Sequence, residues 1–445
     1  MMENIMKSSS TVSLDMFHIC SKRERCFNSG TLVPFILTSL FVASILSFFL
    51  FYSPYPFSVL LNQYSNVVQN QQAQNQQDHL NLQPNHATSN SKSPQNEEEK
   101  SCDLSNGHWV PALRESSYYS NSSCRTIPDS KNCFKNGRED SDFLDWRWKP
   151  EKCELPSFDP RIFLHIVRGK KMGFIGDSVA RNHMESLLCL LSQEESPKDV
   201  HKDSEDRFRT WYFPNYEFTL MILWSRFLIV GEERMVNGTG SSIFDLQLDK
   251  VDEDWAKPIS SLDYAIISAG QWFFRVMYLH EHGKPVGCVY CREPNLTDYN
   301  VVFPIRKAFQ TAFSFINGCN QCRNTVTLLR TFAPAHFENG LWNTGGYCNR
   351  TAPVTQEQVD FKSFDWELRN IQIEELERVK KEVKRKGQKF EVVDVTRAML
   401  MRPDGHPGAY WGDKWMKGYN DCTHWCMPGP IDFWNELMLA VLERV

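Results

Sequence analysis

Short apolar runs alternate along the chain with segments whose apolar residues recur at helical spacing. Between these segments lie polar stretches of loop composition. The predicted strands are Met172–Ile175, Phe218–Val230, Tyr264–Ser268, Thr325–Arg330 and Phe390–Val395, and the predicted helices are Val179–Leu191, Ile305–Asn317, Phe364–Lys386 and Ile431–Leu442. This order of elements predicts an α/β fold with a mostly parallel sheet and helices on both of its faces.

The first of these strands leads into a turn whose residues could take part in catalysis. Its apolar run ends at Gly176, and helical spacing begins a few residues later, so Ser178 is predicted to lie between a strand's carboxyl end and a helix's amino end. Active sites of such sheets lie at this edge, and a helix amino end favours developing negative charge. The Ser178 hydroxyl could therefore attack a carbonyl if a base reaches it. Asp177 is predicted to shape the turn.

A candidate base lies near the other end of the chain. Asp421 and His424 are three residues apart in a segment without periodicity, and Cys422 and Cys426 flank the histidine. A carboxylate at this spacing can orient the imidazole, as in a Ser-His-Asp triad. An isolated Asp-x-x-His is more often a structural hydrogen bond or half of a metal site. Its combination with the Ser178 turn favours a nucleophilic triad.

The N-terminal region has the pattern of a membrane protein. Residues 1–30 are predicted to form a cytosolic tail, and residues 31–52 contain no charged residue and are long enough to cross a bilayer. Lysine and arginine occur before this segment and not again until Lys92, which places the remainder in a lumen. Residues 53–100 are polar and are predicted to form a disordered stem. A cleaved signal peptide is the alternative to the signal anchor.

Composition agrees with a luminal body. The 445 residues have a formal charge of −5, which gives no reason to expect nucleic acid as a partner, and 14 are cysteine. Only two cysteines precede residue 100, so an oxidising compartment is predicted for residues 101–445, with a disulfide-rich lead-in at 101–169 and a core at 170–445. Predicted N-glycosylation sites are Asn121, Asn237, Asn295 and Asn349.

Two Cys-x-x-Cys pairs leave two chemical alternatives. Cys288 with Cys291, and Cys319 with Cys322, could supply four thiolates to zinc. In an oxidising lumen disulfides are favoured, and no metal is predicted. Four further disulfides are expected among Cys102, Cys124, Cys133, Cys153, Cys189, Cys348, Cys422 and Cys426. In these, Cys422 and Cys426 are expected to pair with cysteines distant in the sequence.

Four segments together resemble a known family. IGDSVARNHMES, LLRTFAPAHFENGLWNTGGYC, RPDGHPGAYW and DCTHWCMPGPIDFWNE are similar to the signature blocks of the plant trichome birefringence-like proteins, which are Golgi polysaccharide O-acetyltransferases. The resemblance covers roughly residues 101–445, and the anchor and stem fit the family's architecture. It implies a fold akin to the GDSL/SGNH hydrolases and a single-pass type II protein of the Golgi membrane.

The resemblance also implies roles for particular residues. Ser178 would accept the acetyl group, His424 would act as general base and acid, and Asp421 would hold the imidazole. Arg181 and Asn182, from the first block, are candidates for oxyanion or acyl binding, and a salt-bridged surface residue is the alternative for Arg181. The N–H groups of Ser178 and Gly270 are further oxyanion candidates. His336 and His406 lie in family blocks and are expected to be structural or substrate-lining.

The acceptor is less well defined than the reaction. The family commonly has Leu-Asn at the positions of Val179-Ala180 and His at the position of Gln271. The sequence of the first block resembles the branch that acetylates the side-chain galactose of xyloglucan. Glucomannan is the alternative acceptor. No bound cofactor is predicted. The acetyl donor would be acetyl-CoA or an acetylated intermediate, which a membrane protein could supply. An acetylesterase and a non-catalytic polysaccharide-binding protein are the other functions considered.

Overall fold

The computed structural model describes residues 102–112, 117–383, 387–412 and 418–445. The predicted cytosolic tail, signal anchor and stem lie outside the described residues, so these three predictions stay predictions. Within the described ranges, no helix is both long and apolar enough to cross a membrane.

The described residues form strands and helices in a mixed order. The strands are β1 (Gly107–Pro111), β2 (Trp146–Pro150), β3 (Lys171–Gly176), β4 (Lys198–Lys202), β5 (Phe208–Phe213), β6 (Phe218–Trp224), β7 (Ile229–Val236), β8 (Thr239–Val251), β9 (Tyr264–Ser268), β10 (Met277–Glu281), β11 (Lys284–Val289), β12 (Val326–Arg330) and β13 (Lys389–Val393). The helices are α1 (Pro160–Ile166), α2 (Ser178–Leu191), α3 (Glu253–Ala256), α4 (Val302–Gly318), α5 (Phe364–Glu382), α6 (Thr396–Leu400) and α7 (Asp432–Leu442).

The main sheet has seven strands in the order β13-β12-β9-β3-β6-β5-β4. The five from β13 to β6 are parallel, and β5 and β4 continue the sheet antiparallel. β3 lies between β9 and β6, with Gly176 opposite Ser268 on one side and Trp224 on the other. The carboxyl ends of these three strands therefore meet at one edge, which confirms the predicted mostly parallel sheet.

Helices cover both faces of this sheet because alternate residues of β3 point to opposite sides. Phe174 belongs to a core that includes residues of α2 and α7, such as Leu187 and Leu437. Ile175 belongs to a second core with residues of α4 and α5. The predicted helices on both faces are confirmed, although the helix predicted over Phe364–Lys386 ends at Glu382.

The predicted single strand Phe218–Val230 is wrong. β6 ends at Trp224 and β7 begins at Ile229, in a different sheet. Ser225 forms the turn between them: its Oγ donates to Asp252 at 2.7 Å and accepts from the N–H of Leu228 at 3.0 Å. Phe227 and Leu228 are buried within the turn, so the apolar run continues where the strand stops.

A second sheet, of four strands, is absent from the predictions. Its order is β11-β10-β8-β7, with β10 parallel to β8 and the other pairs antiparallel. Its buried side packs into the core that contains α4, through Phe244, Leu246 and Leu279. This sheet follows directly from the carboxyl edge of β6 and so lies beside the end of the main sheet where Ser178 stands.

The lead-in packs against the last helices. β1 and β2 pair antiparallel, the indole N–H of Trp109 donates to the carbonyl of Ala398 in α6 at 2.8 Å, and the rings of Trp148 and Phe433 lie 5.6 Å apart. The described residues form six disulfides: Cys102–Cys153, Cys124–Cys189, Cys133–Cys426, Cys288–Cys291, Cys319–Cys322 and Cys348–Cys422. Both Cys-x-x-Cys pairs are thus disulfides, and no described cluster of three or more His, Cys, Asp or Glu could hold a metal ion.

Two carboxyl groups, of the buried Asp432 and the half-buried Glu436, lie where the lead-in meets α7, beside a cavity of about 180 Å³. The Tyr118 hydroxyl donates to Glu436 at 2.9 Å, and the Tyr119 hydroxyl donates to Asp432 at 2.8 Å. Burial raises the pKa of Glu436 to about 7 and the pKa of Asp432 to about 6. The folded protein therefore binds protons at these groups more tightly than the unfolded chain does.

This linkage predicts that the contribution of Glu436 to stability grows as the pH falls. Glu436 contributes full stability below its ordinary pKa and loses that contribution as the pH rises through about 7. Buried histidines such as His336 act in the opposite direction in the parent and in a Glu436→Gln variant alike. We therefore expect the thermal midpoint of the parent, measured relative to that of Glu436→Gln, to fall by several degrees from about pH 5 to about pH 8, which thermal unfolding of both proteins would measure. A variant with the same pH dependence as the parent would contradict the assignment to Glu436.

Candidate active site

The turn before α2 requires glycine at position 176. Gly176 has a φ of 145°, in the region that residues with a Cβ avoid. A Cβ there would stand 1.6 Å from the carbonyl oxygen of Ser268 in β9. The close approach of β3 and β9 at this point lets the chain turn sharply and start α2 at Ser178.

Gly176→Ala is expected to lower the free energy of unfolding by about 3 kcal/mol or more, since it adds both backbone strain and a clash. Chemical denaturation would measure the loss. Gly318→Ala at the end of α4 is the matched control, because a Cβ there meets no atom within 4 Å. Its effect should stay within about 0.5 kcal/mol. Equal stability of the two variants would contradict the proposed constraint.

Asp177 fixes the start of α2, as the sequence predicts for a residue that shapes the turn. One carboxylate oxygen accepts from the N–H of Val179 at 3.0 Å, and the other accepts from the N–H groups of Gly270 and Gln271, both at 3.1 Å. Burial raises the pKa of Asp177, while the nearby Arg330 guanidinium opposes that rise. The carboxylate thus ties the Ser178 turn to the loop after β9.

His424 and Asp421 form the predicted pair. His424 Nδ1–H donates to Asp421 Oδ2 at 2.8 Å, and both side chains are about nine-tenths buried. Asp421 Oδ1 accepts from the backbone N–H groups of Thr423 at 3.1 Å and His424 at 2.9 Å. Burial alone would raise the pKa of Asp421, but the His424 ring and these hydrogen bonds hold it well below its ordinary value. This contact places the hydrogen-bonded proton of the His424 ring on Nδ1 and directs Nε2 away from Asp421.

Two more histidines, His406 and His336, are hydrogen-bonded beside this loop. His406 Nδ1–H donates to the carbonyl of His424 at 2.6 Å, and His406 Nε2 lies 2.7 Å from Nδ1 of His336. Burial lowers the pKa of His406 and lowers the pKa of His336 to about 4, so both rings are neutral at ordinary pH. The structural role expected for the two side chains agrees with these contacts.

Disulfides cross-link the chain on both sides of His424. Cys422 bonds to Cys348, 74 residues earlier, and Cys426 bonds to Cys133, 293 residues earlier. The prediction that these cysteines reach distant partners is confirmed. Such cross-links restrict the motion of a catalytic loop and so help to hold its geometry.

Asn182 joins the His424 loop to α2. Its Oδ1 accepts from the N–H of Trp425 at 2.8 Å, and its Nδ2 donates to the Trp425 carbonyl at 3.4 Å. Asn182 lies one helical turn after Ser178, and Trp425 follows His424, so these bonds bring the predicted nucleophile and the predicted base to the same edge. Asn182 is fully buried. Its contacts suit a positioning role better than the predicted oxyanion or acyl-binding role.

The other two predicted oxyanion residues also have partners. Arg181 donates to the carbonyl of Asp206 and lies 3.5 Å from its carboxylate, so the salt-bridged alternative describes it. The N–H of Gly270 donates to Asp177 and is not free to bind an oxyanion. The oxyanion role predicted for Gly270 does not fit this geometry. Ser178 itself is partly exposed at the helix start, where its own N–H remains a candidate.

All four predicted glycosylation asparagines, Asn121, Asn237, Asn295 and Asn349, are exposed. Their modification stays a prediction.

The chain has a partly exposed serine at a helix amino end, and Asn182 of the same helix is hydrogen-bonded to the loop that holds a buried His-Asp pair. This arrangement is compatible with a serine acyl-transferring enzyme. Sequence comparison agrees with this class. Residues 155–441 match the model of a GDSL/SGNH-like acyl-esterase family, PC-esterase, found in Pmr5 and Cas1p. Residues 100–154 match the PMR5 N-terminal domain. The chain therefore belongs to the PC-esterase family.

The chain is also similar to individual characterised members of this group of proteins. Over 426 residues the chain is 56% identical to xyloglucan O-acetyltransferase 4 of Populus trichocarpa, covering 96% of each chain. It is 48% identical over 442 residues to xyloglucan O-acetyltransferase 2 of Arabidopsis thaliana, covering 99% of this chain and 100% of the relative. It is 46% identical over 353 residues to the Arabidopsis protein trichome birefringence-like 19, covering 77% of this chain and 81% of the relative. The resemblance to the trichome birefringence-like proteins is confirmed.

Proposed function

We propose that the protein is a polysaccharide O-acetyltransferase that acetylates xyloglucan, most specifically the galactose of its side chains. The observation that supports this most strongly is the His424–Asp421 pair, which hydrogen bonds from Asn182 hold beside the Ser178 turn. The acceptor follows from the two xyloglucan O-acetyltransferases that match the chain over nearly its whole length. Glucomannan is the alternative acceptor.

The reaction proceeds by two displacements. His424 Nε2 takes the proton of Ser178 Oγ as the oxygen attacks the donor's acetyl carbonyl, and the leaving group departs with that proton. The acceptor hydroxyl then gives its proton to His424 and attacks acetyl-Ser178, and the proton returns to Ser178 Oγ. Asp421 keeps the imidazole oriented and stabilises its charged form in each step.

An assay of the full-length protein would test this function. The protein is incubated with an acetyl donor and unacetylated oligosaccharides of xyloglucan, glucomannan and xylan. We expect acetyl esters on xyloglucan galactose. Exclusive acetylation of glucomannan would reassign the acceptor, and no acetylation of any oligosaccharide would overturn the proposal.

Hydrolysis is the second candidate, because the matched family is named for acyl-esterases. A polysaccharide acetylesterase would use the same triad with water as the acceptor. Measuring acetylation and deacetylation of one xyloglucan oligosaccharide under the same conditions separates the two activities. We expect transfer to exceed hydrolysis.

We also propose that residues 31–52 anchor the protein in the Golgi membrane with the catalytic body, residues 101–445, in the lumen. The absence of charge in this segment, the basic flank before it and the exposed sequons support this topology. Glycosidase treatment should increase the gel mobility of the protein purified from plant cells. An unchanged mobility together with digestion of residues 101–445 by protease added outside intact vesicles would contradict the topology.

A further inference from the structure

Two arginines outside the triad lie at the edge of the sheet where Ser178 stands. Arg226 follows the end of β6 at Trp224, the residue opposite Gly176. Arg275 follows the loop after β9, whose N–H groups at positions 270 and 271 bind Asp177. These two loops follow the strands on either side of β3, so both arginines lie at the same edge of the sheet as Ser178 rather than at the far end of the strands.

Both guanidinium groups contact the same indole ring. Arg275 Cζ lies 4.1 Å from the centre of the Trp272 ring, and Arg226 Cζ lies 5.0 Å from it. Trp272 is itself fixed by edge-to-face contact with Trp224 at 6.2 Å, and it is 7% exposed. The ring therefore holds two positive charges close together on a rigid support.

The charges of these two arginines have no direct partner. Among the described residues, neither guanidinium forms an ion pair or a side-chain hydrogen bond, and the Nε atoms of both are buried without a hydrogen-bond partner. Burial lowers the pKa of Arg275 to about 10, and the charge of Arg226 lowers it too. Burying two like charges together is unfavourable unless an anion binds there.

Three carboxylates act on these arginines at longer range, and each of the three has another partner of its own. Glu233 attracts both arginines, but its Oε1 accepts from the N–H of Ser242 at 2.9 Å. Glu205 and Asp252 also act on Arg226. Glu205 is paired with Arg207 at 2.6 Å, and Asp252 accepts from Ser225 Oγ at 2.7 Å. Arg226 and Arg275 are both partly exposed, so a ligand from solvent can reach them.

We propose that Arg226 and Arg275, held on Trp272, form a subsite for the phosphate groups of the acetyl donor. This inference rests on the proposed function. The acceptor, a galactose hydroxyl of xyloglucan, is neutral and gives two guanidinium groups nothing to neutralise, whereas guanidinium binds phosphate through paired, charge-assisted hydrogen bonds. A phosphorylated thioester of the coenzyme A type has both the phosphates and a reactive acetyl group.

The chemistry at Ser178 balances with such a donor. Ser178 Oγ forms a C–O bond to the acetyl carbon, the C–S bond breaks, and the thiol leaves with the proton that His424 took from the serine. The phosphates do not react. Their binding at Arg226 and Arg275 holds the donor at the sheet edge where Ser178 lies and so lowers the KM for the donor.

The test compares acetyl-CoA with 4-nitrophenyl acetate, which has no phosphate, on the full-length protein. Arg226→Gln/Arg275→Gln should lower the ratio of kcat/KM for acetyl-CoA to kcat/KM for the neutral ester at least about tenfold, mainly through the KM for acetyl-CoA. The control is Arg161→Gln, whose side chain is 75% exposed and pairs with Glu194, beyond the opposite end of α2. Its ratio should stay within about twofold of the parent's.

Competition identifies the anion. Pyrophosphate should inhibit the parent competitively with acetyl-CoA and should lose this inhibition in the double variant. An unchanged kcat/KM ratio in that variant would overturn the subsite. Inhibition by oligogalacturonate and none by pyrophosphate would assign the arginines to an acidic acceptor instead and would also overturn it. In either case, continued transfer from the neutral ester to xyloglucan would leave the proposed function standing, whereas loss of all transfer in the parent would count against that function.

Discussion

Replacing Ser178 with alanine is expected to lower acetyl transfer at least about 10⁴-fold, because the chain then lacks the atom that accepts the acetyl group. The helix should still form, since Asp177 caps it through the backbone N–H of Val179 and not through Ser178. Steady-state transfer from acetyl donor to xyloglucan oligosaccharide would measure the loss, and thermal unfolding would confirm that the fold is intact.

The control for this variant is Ser192→Ala at the other end of α2. Its hydroxyl donates to the carbonyl of Leu188, far from the sheet edge that holds the triad. This variant should retain its transfer rate within about twofold. A folded Ser178→Ala variant with full activity would contradict the double-displacement mechanism.

The second large effect is expected from Asp421→Asn. The amide would still accept from the N–H groups of Thr423 and His424 through its oxygen, but its NH₂ would face His424 Nδ1. That contact favours the tautomer with the proton on Nε2, which cannot act as the base. We expect kcat to fall about 10⁴-fold with a smaller change in KM.

A second Asp-His pair in the same chain provides the control for Asp421→Asn. Asp249 lies 3.0 Å from Nδ1 of His282, whose side chain is 84% exposed, in the four-stranded sheet. Asp249→Asn removes the same charge from a similar contact outside the active site. Its kcat should equal that of the parent. If both variants lost activity equally, the loss could not be assigned to the orientation of His424.

The strand, turn and helix around Ser178 could be predicted because their signals are local. The apolar run, Gly176 and the helical spacing lie within one short segment, and the observed bounds of β3 and α2 differ from the predicted ones by no more than one residue at each end. The Asp421–His424 contact was predictable for the same reason, since three residues of loop suffice to close it.

The four-stranded sheet was missed although part of its signal is present. Phe244, Leu246 and Leu248 are buried and alternate with polar residues, as in a strand with one buried face. Asn237-Gly238 before them is a typical hairpin turn. The end of β6 could not be predicted in this way, because Phe227 and Leu228 are buried in the turn and extend the apolar pattern beyond the strand.

Long-range contacts account for the remaining differences. The pairing of Cys133 with Cys426 spans 293 residues, and no spacing rule selects it. The sequence predicts an acyl-binding role for Arg181 and Asn182, but their partners Asp206 and Trp425 come from other segments that only the fold brings near. The unpaired Arg226 and Arg275 could not be recognised either, since only the folded structure shows which acidic groups lie within reach of an arginine.

The central claim is that Ser178 holds the acetyl group between donor and acceptor. The full-length protein would be incubated with acetyl donor and no acceptor, quenched in acid, digested and analysed by peptide mass spectrometry. We expect one acetyl group on Ser178 that disappears when xyloglucan oligosaccharide is added before the quench. Rapid transfer to the oligosaccharide with no acetyl-Ser178 at any time during the reaction would contradict the claim.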